Sequence, residues 1–250
     1  MSEILEVPKK YLEKILKPVS RLTDSCVLNF QDDNVFTVCS SPDNFVVLYA
    51  KLKLPYIVKN AVKLNLISAK RFLTGLNCLG DDGKFEIKIS ENAMICQLVS
   101  EEGEKTHFKY HLVDDNIIKK CPMKAEKIMA LSFDTDFVLS STKIKQILQA
   151  FSFSSESVKI YFYEEDGTIY TEIDDKTKPN NDSIKIPITK TWNGEKITEN
   201  FITNLDIFKN LMATKNDVSV KINNQYKVAV FDSNEEESVF LKYVISSLVK

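Results

Sequence analysis

The segment VPKKYLEKILKPV (7–19) and the later segment LSSTKIKQILQAF (139–151) share one design. Each carries apolar residues at helical spacing, and each precedes two short apolar strands that are joined by a polar turn. These strands are CVLNF and VFTV after the first segment, and SVKIYFY and TIYTEI after the second. The two segments lie roughly 130 residues apart, a separation that predicts an internal duplication of the fold.

The second half of each copy repeats as well. NLISAKRFLTGLNCL (65–79) leads into KFEIKISENAMICQL (84–98), and NFITNLDIFKNLMAT (200–214) leads into DVSVKINNQYKVAVF (217–231). The segment between the copies follows neither the helical nor the strand period and contains Pro122. We therefore predict an N-terminal domain over residues 1–112, an interdomain connector over 113–127 and a C-terminal domain over 128–250.

Apolar stripes predict four short helices with polar outer faces. The first helix extends from about Lys9 to Lys17, with at most one further turn, and Pro18 is predicted to kink or end it. The second opens on a Ser68 cap, the third begins at Ser141 or Thr142, and the fourth covers 204–214. The remaining apolar segments are rich in β-branched and aromatic residues and are joined by short polar turns, which predicts an α+β fold with antiparallel sheets.

The distribution of charge points to an anionic partner, although the total does not. The chain has 33 basic and 35 acidic residues, a net charge of −2. Acidic residues concentrate in turns, whereas the predicted helices carry lysine or arginine on their outer faces. A basic face on one helix is usually only solvated, but four helices at equivalent places in a repeat share one side of the structure. The predicted anion-facing residues are Lys10, Lys14, Lys17, Arg21, Lys70, Arg71, Lys143, Lys145 and Lys209.

The sequence contains no recognisable catalytic or metal-binding motif. His107 and His111 would share one face of a strand, but no acid or cysteine is placed to complete a metal site. The six glycines form neither a phosphate loop nor a dinucleotide fingerprint, and no serine or cysteine sits in a nucleophile setting. We expect a protein that is not an enzyme and needs no cofactor or metal.

Cysteine usage and hydropathy bear on the compartment. The five cysteines are odd in number and scattered, which favours free thiols in a reducing environment. No apolar run approaches the length of a membrane span, and the N-terminus lacks a signal-type apolar stretch. The sequence therefore predicts a cytoplasmic protein without a membrane partner, in the host cytoplasm if the chain is viral.

The whole chain resembles the DNA sliding clamps, the group that contains proliferating cell nuclear antigen and the T4-type phage processivity clamp. The resemblance rests on the four-fold order of short helix and strands, on the central connector and on three local strings. These strings are CSSPDNFVVLYAKL (39–52), NLDIFKNLM (204–212) and LKYVISSLVK (241–250). None of them is a catalytic signature, so the specificity lies in their order and spacing.

The resemblance implies a duplicated DNA-clamp fold in which six domains from three subunits form a ring, with helices inside and sheets outside. The expected partners are double-stranded DNA bound without sequence preference, a DNA polymerase and a clamp loader. Partner peptides would enter an apolar groove beside the connector. Its implied lining residues are Pro42, Phe45, Leu48, Ile117, Ile118, Met123, Val244, Ser246 and Ser247.

The subunit contacts are expected at two candidate edge strands, one around Thr106–Leu112 and the other around Ser183–Ile188 of the neighbouring subunit. The predicted interface residues are Phe108, Tyr110, Lys185 and Ile186. A second interpretation stays open at this point. A duplicated, β-rich structural or interaction protein that forms no ring, such as a virion component, would have the same pattern of strands and helices.

Overall fold

The computed structural model describes residues 3–5, 7–90, 92–153, 159–174, 176, 182–204, 207–208, 216–236 and 239–248. The chain forms two compact units. The first unit comprises Met1–Asn44 and Leu48–Met123, and the second comprises Phe45–Val47 and Lys124–Lys250.

The first unit contains two helices and eight strands among its described residues. In chain order they are β1 (Glu3–Leu5), α1 (Lys9–Leu22), β2 (Cys26–Gln31), β3 (Asn34–Ser40), β4 (Val46–Lys53, whose first two residues group with the second unit), β5 (Val62–Leu66), α2 (Ala69–Asn77), β6 (Lys84–Ser90), β7 (Ala93–Val99) and β8 (Lys105–His111).

The second unit contains two further helices and nine strands in the part that the structure describes. They are α3 (Ala125–Met129), β9 (Thr135–Leu139), α4 (Ser141–Phe153), β10 (Lys159–Glu165), β11 (Thr168–Asp174), β12 (Ile184–Thr189), β13 (Trp192–Gly194), β14 (Phe201–Asn204), β15 (Val218–Asn223), β16 (Val228–Glu236) and β17 (Val239–Ser246). Ile207 and Phe208 are also helical.

The strand orders of the two units match element by element. In the first unit the orders are β1-β6-β7-β8 and β4-β3-β2-β5, and in the second they are β9-β15-β16-β17 and β12-β11-β10-β14. The short strand β13 is added beyond β9. This correspondence confirms the duplicated α+β fold that the sequence predicts, and it makes β8 the counterpart of β17 and β12 the counterpart of β4.

One part of the core of the first unit lies between its helices and the inner face of the β6–β8 sheet, and the fully buried Phe30 and Leu64 belong to the β2–β5 sheet. Leu12, Ile15 and Leu16 of α1 are fully buried. Phe72 of α2 packs edge-on against Phe108 and Tyr110, with ring centroids 5.7 and 5.2 Å apart. The side chains of these two β8 residues therefore face the helices, and the alternate residues of β8 face away from them.

The core of the second unit is built around an aromatic cluster. Phe162 of β10, Phe208 and Phe231 of β16 are fully buried, with ring centroids 5.9 to 6.1 Å apart. Strand alternation on β10 places Tyr161 and Tyr163 on the opposite face of the sheet.

Helix boundaries agree with the sequence at α2 and α4 and differ at α1. The predicted Ser68 cap of α2 is confirmed, since its hydroxyl accepts a hydrogen bond from Arg71 N at 3.2 Å. Pro18 does not end α1, which continues to Leu22. Only its last turn follows the proline, and Pro18 is itself buried beside Val19, so packing offsets the lost donor. Most of the predicted fourth helix (204–214) lies outside the described residues. The short helix α3 and strand β1 were not predicted.

Candidate nucleic-acid interface

Helix α1 separates apolar and basic residues onto opposite faces. Lys10, Lys14, Lys17 and Arg21 follow one another at steps of four, three and four residues, a spacing that aligns them along one face of a helix. Lys10, Lys17 and Arg21 are exposed and Lys14 is half-buried. The Lys10 and Lys14 ammonium groups lie 5.4 and 5.7 Å from the centre of the Tyr11 ring.

Lys9 begins the same helix but has a structural role. It is only 9% exposed, and its ammonium donates to Gly80 O and to Asp81 Oδ1, the latter at 2.6 Å. This hydrogen bond lowers the pKa of the Asp81 carboxyl. Glu13 lies 3.6 Å from Lys9 and 3.8 Å from Lys17, so the single acid of α1 is shared between two lysines. Lys9 thereby ties the start of α1 to the turn that follows α2.

Helix α2 carries two cations at its N-terminal end. Lys70 and Arg71 are exposed, and the first turn contains no acidic residue. The partial positive charge of a helix N-terminus favours acidic residues at such positions and disfavours cations. These side chains therefore add positive potential where helix stability alone would select against it, as expected for a surface that binds anions.

Helices α1 and α4 also carry cations in the first turn, where acidic residues would be favoured. The first turn of α1 contains Lys9 and Lys10, and that of α4 contains Lys143, with no acid in either turn. In α4 the backbone N–H of Ser141 donates to the Asp217 carboxylate at 2.7 Å, which offsets part of the positive charge. Lys145, two residues after Lys143, is exposed. Helices α1, α2 and α4 thus each carry lysine in the first turn.

Most of these cations have no acidic partner. Within the described ranges, no carboxylate lies within ion-pair distance of Lys10, Arg21, Lys70, Arg71, Lys143 or Lys145. Exposed cations without partners on helix faces can contact phosphates without first breaking an ion pair. The assignment of Lys209 lies outside the described residues.

The two predicted contact strands, β8 and β12, both lie at the end of their sheet orders. Leu112 N donates to Asn92 O at 3.0 Å. Donors alternate along an antiparallel strand, so the N–H groups of His107 and Lys109 point away from β7. Tyr110 is buried and its hydroxyl bonds Ser68. The N–H groups of Phe108 and Tyr110 therefore point towards β7, and the free edge of β8 is formed by the backbone of His107 and Lys109.

On β12, Lys185 is exposed and pairs with Glu165, whereas Ile186 is buried. Pro187 is also part of this strand, and proline is tolerated in sheets mainly on edge strands. The interface residues stay a prediction.

The described residues give no sign of metal or thiol chemistry. No group of three or more potential metal ligands occurs among them. All five cysteines are free, and burial raises the pKa of Cys26 and Cys96 to about 12, which keeps these thiols protonated. Among the helices of the described ranges, none is long and apolar enough to cross a membrane.

No family model and no curated protein matches the sequence. Solved structures match over its whole length. PCNA from A. fulgidus, with the C-terminal region of FEN-1 bound, has a TM-score of 0.77 at 13% identity, covering 100% of this chain and 99% of that chain. PCNA from Thermococcus kodakaraensis has a TM-score of 0.75 at 13% identity, covering 99% of each chain. This chain has the sliding-clamp fold. A putative DNA polymerase III beta subunit from Eubacterium rectale has a TM-score of 0.71 at 14% identity, covering 100% of this chain and 66% of the other.

In the first unit of this clamp fold, the predicted groove residues differ widely in exposure. Ile117 is 59% exposed and Pro42 is exposed, Met123 is half-buried, and Leu48 and Ile118 are buried. Lys119 Nζ donates to Pro42 O at 2.7 Å, which fastens the connector to the loop before β4. Among these first-unit residues, Ile117 is therefore the one large aliphatic side chain that is exposed.

In the second unit, Phe45 is 38% exposed while Val244 is buried. Ser246 N donates to Phe45 O at 2.9 Å, so the end of β17 holds the Phe45 backbone. The Ser247 hydroxyl accepts from Ile202 N at 2.9 Å. Ser246 thus contributes a backbone donor and Ser247 a side-chain acceptor, and the groove itself stays a prediction.

Two features of the clamp fold were missed by sequence reasoning. Lys9 shares its helix with the exposed lysines, and only its contact with Asp81, far along the chain, buries it. The second feature is the series Lys105, His107, Lys109 and His111, which alternates with Thr106, Phe108 and Tyr110 along β8. The alternation is visible in the sequence, but sequence reasoning considered the two histidines only as metal ligands, which it rejected, and the strand only as a subunit contact.

Proposed function

We propose that this protein is a DNA sliding clamp, a homotrimeric ring that encircles duplex DNA and tethers a DNA polymerase. The observation that carries the proposal is the clamp fold over the whole chain, combined with the exposed helix cations Lys10, Arg21, Lys70 and Arg71, for which the described residues provide no carboxylate within ion-pair distance. Fold alone does not imply function, and the charge on the helices supplies the second argument.

The resemblance to sliding clamps implies a ring of six units. With two units per chain, such a ring requires three subunits. In the second unit, β17 is bordered by Phe45, where β4 begins. Strand β8 corresponds to β17, and β12 corresponds to β4. Both β8 and β12 lie at the end of their sheet orders. Pairing β8 of one copy with β12 of the next would use both free edges.

The mechanism is topological and electrostatic. Lysine and arginine side chains contact phosphates whatever the base sequence, and binding releases counterions from the DNA. Such contacts hold the ring around the duplex without fixing its position, so the clamp slides. A clamp loader would open the ring on DNA.

The size of the assembly separates this proposal from a structural protein that forms no ring. Size-exclusion chromatography with light scattering should give three times the 28.6 kDa chain mass, or a mass that rises towards that value with concentration. A constant monomer mass at high concentration would favour the structural protein.

The polymerase is expected to dock at the apolar groove beside the connector. A PCNA solved with the C-terminal region of FEN-1 bound shows that a protein of this fold accepts a C-terminal segment. A C-terminal peptide of the cognate polymerase should bind with micromolar affinity, measured by fluorescence anisotropy. Phe45→Ala or Ile117→Asp should weaken binding about tenfold or more, because exposed apolar anchors dominate such contacts.

Ile57→Asp is the matched control for this prediction, since Ile57 is 74% exposed on a different loop. Ile118 is unsuitable for the test because an aspartate there would bury a charge. Equal affinity of the peptide for the parent protein and for both groove variants would place the docking site elsewhere.

A further inference from the structure

One face of the β6–β7–β8 sheet is strongly basic, and it is the face that points away from helices α1 and α2. Strand register places residues of three strands side by side on this face. They are Lys84, Glu86 and Lys88 of β6, Ile95, Gln97 and Val99 of β7, and Lys105, His107, Lys109 and His111 of β8. We call this surface the outer face.

The one acid of the outer face is already engaged. Glu86 lies 3.2 Å from Lys84 Nζ and accepts a hydrogen bond from Gln97 at 2.8 Å, and these contacts lower the pKa of its carboxyl. In the part of the chain that the structure describes, no carboxylate lies within ion-pair distance of Lys88 or Lys109. The same holds for Lys105, although the exposed acids of the β7–β8 turn lie at that end of the strand.

The duplication provides an internal comparison. The counterpart of β8 is β17, whose equivalent series reads Phe240, Lys242, Val244 and Ser246. Lys242 is only 8% exposed and lies 3.5 Å from Asp232, and Val244 is buried. The same strand of the fold is thus covered and neutralised in one unit, but exposed and cationic in the other. The fold itself therefore does not require the basic series on β8.

The spacing of the series fits a regular polyanion. Alternate residues of an antiparallel strand lie about 7 Å apart. This distance is comparable with the separation of neighbouring phosphates along one nucleic-acid strand. Lys88 and Lys109 flank Ile95 in a row that crosses three strands and extends the cationic surface sideways.

We propose that the outer face is a second DNA-binding surface, which contacts the phosphate backbone of duplex DNA lying outside the ring. Charge complementarity carries the assignment. The β8 series contributes only lysine and histidine side chains to this face, and the apolar side chains of the face, Ile95 and Val99, lie on β7. The series carries no Phe, Tyr or Trp ring, and its only aromatic rings are the imidazoles of His107 and His111. Lysine side chains are sufficient to contact the phosphates of a DNA backbone.

The test uses a duplex whose two ends are blocked by biotin and streptavidin before the protein is added. A closed ring cannot thread onto this duplex, so only contacts outside the bore are measured. Each protein also carries alanine at Lys10, Lys14, Lys70, Arg71 and Lys143. Chains that are not closed into a ring then cannot contact the duplex through these helix side chains. Binding is followed by anisotropy over a range of salt concentrations.

Lys88→Ala/Lys105→Ala/Lys109→Ala is expected to weaken binding to the blocked duplex about tenfold and to lower the slope of log K against log salt by about 2.7. The control, Lys63→Ala/Lys120→Ala/Lys190→Ala, removes the same charge from exposed lysines elsewhere and should bind like its parent. Equal loss in both variants, or no binding by the parent, would overturn the proposal.

Polyglutamate is the competing probe. If it binds the parent and needs the three outer-face lysines while the blocked duplex does not bind, the occupant is an acidic protein segment and the DNA assignment is wrong. The outcome of the blocked-duplex test does not depend on whether the protein forms a ring. Threading onto an open-ended duplex tests the clamp proposal separately, and the outer-face substitutions alone should leave it unchanged.

Discussion

Replacing Lys10, Lys14, Lys70, Arg71 and Lys143 with alanine should remove most of the binding to open-ended duplex DNA at physiological salt and leave only the weaker contact of the outer face. Each phosphate contact contributes about 0.9 to the slope of log K against log salt, so the slope should fall by up to about 4.5. The five side chains lie on helix surfaces and not in a core, so thermal unfolding should change little. Fluorescence anisotropy over a salt series measures the effect.

A matched variant carries alanine at five exposed lysines on other parts of the chain, namely Lys59, Lys63, Lys120, Lys124 and Lys190. It has the same net charge as the helix variant. If both variants lose affinity equally, the effect belongs to total charge, and the helix faces are not the DNA-binding surface.

A proline at His107 should convert the proposed trimer into monomers. The His107 N–H points away from β7, so proline removes a donor from the free edge of β8 and leaves the β7–β8 ladder in place. The equivalent change on the opposite contact strand is Lys185→Pro on β12. Light scattering at several concentrations measures the assembled mass.

His107→Ala serves as the control, because it removes the side chain and keeps the donor. It should remain a trimer. Circular dichroism and thermal melting establish that the proline variants are folded. A folded His107→Pro protein that still forms trimers would show that β8 is not the contact strand.

The sequence predicts the helices and strands well where periodicity decides them. The stripe of Leu12, Ile15 and Leu16 gives α1 its buried face, and Ser68 marks the start of α2. These features depend on neighbours along the chain, so a local pattern is sufficient to reveal them. Pro18 shows the limit, because burial of the last turn of α1 outweighs the local cost of the proline.

The candidate sites depend on contacts between distant residues, and periodicity does not report those. Lys9 and Lys10 are adjacent and chemically identical, yet Asp81 and Gly80 bury the first and leave the second exposed. Likewise, Ile117 and Ile118 are neighbours in the connector, and only Ile118 is buried. Sequence reasoning placed these residues on the correct elements but did not separate structural from accessible side chains.

The central claim, that the protein encircles duplex DNA, is tested most directly by trapping it on a duplex. The protein is mixed with a linear duplex that carries biotin at both ends, streptavidin is added to block the ends, and the sample is diluted into high salt. High salt removes contacts that rest on phosphates alone. A ring should remain on the duplex, should be absent when streptavidin precedes the protein, and should be released when the duplex is cut. Protein that washes off equally whichever reagent is added first would contradict the account.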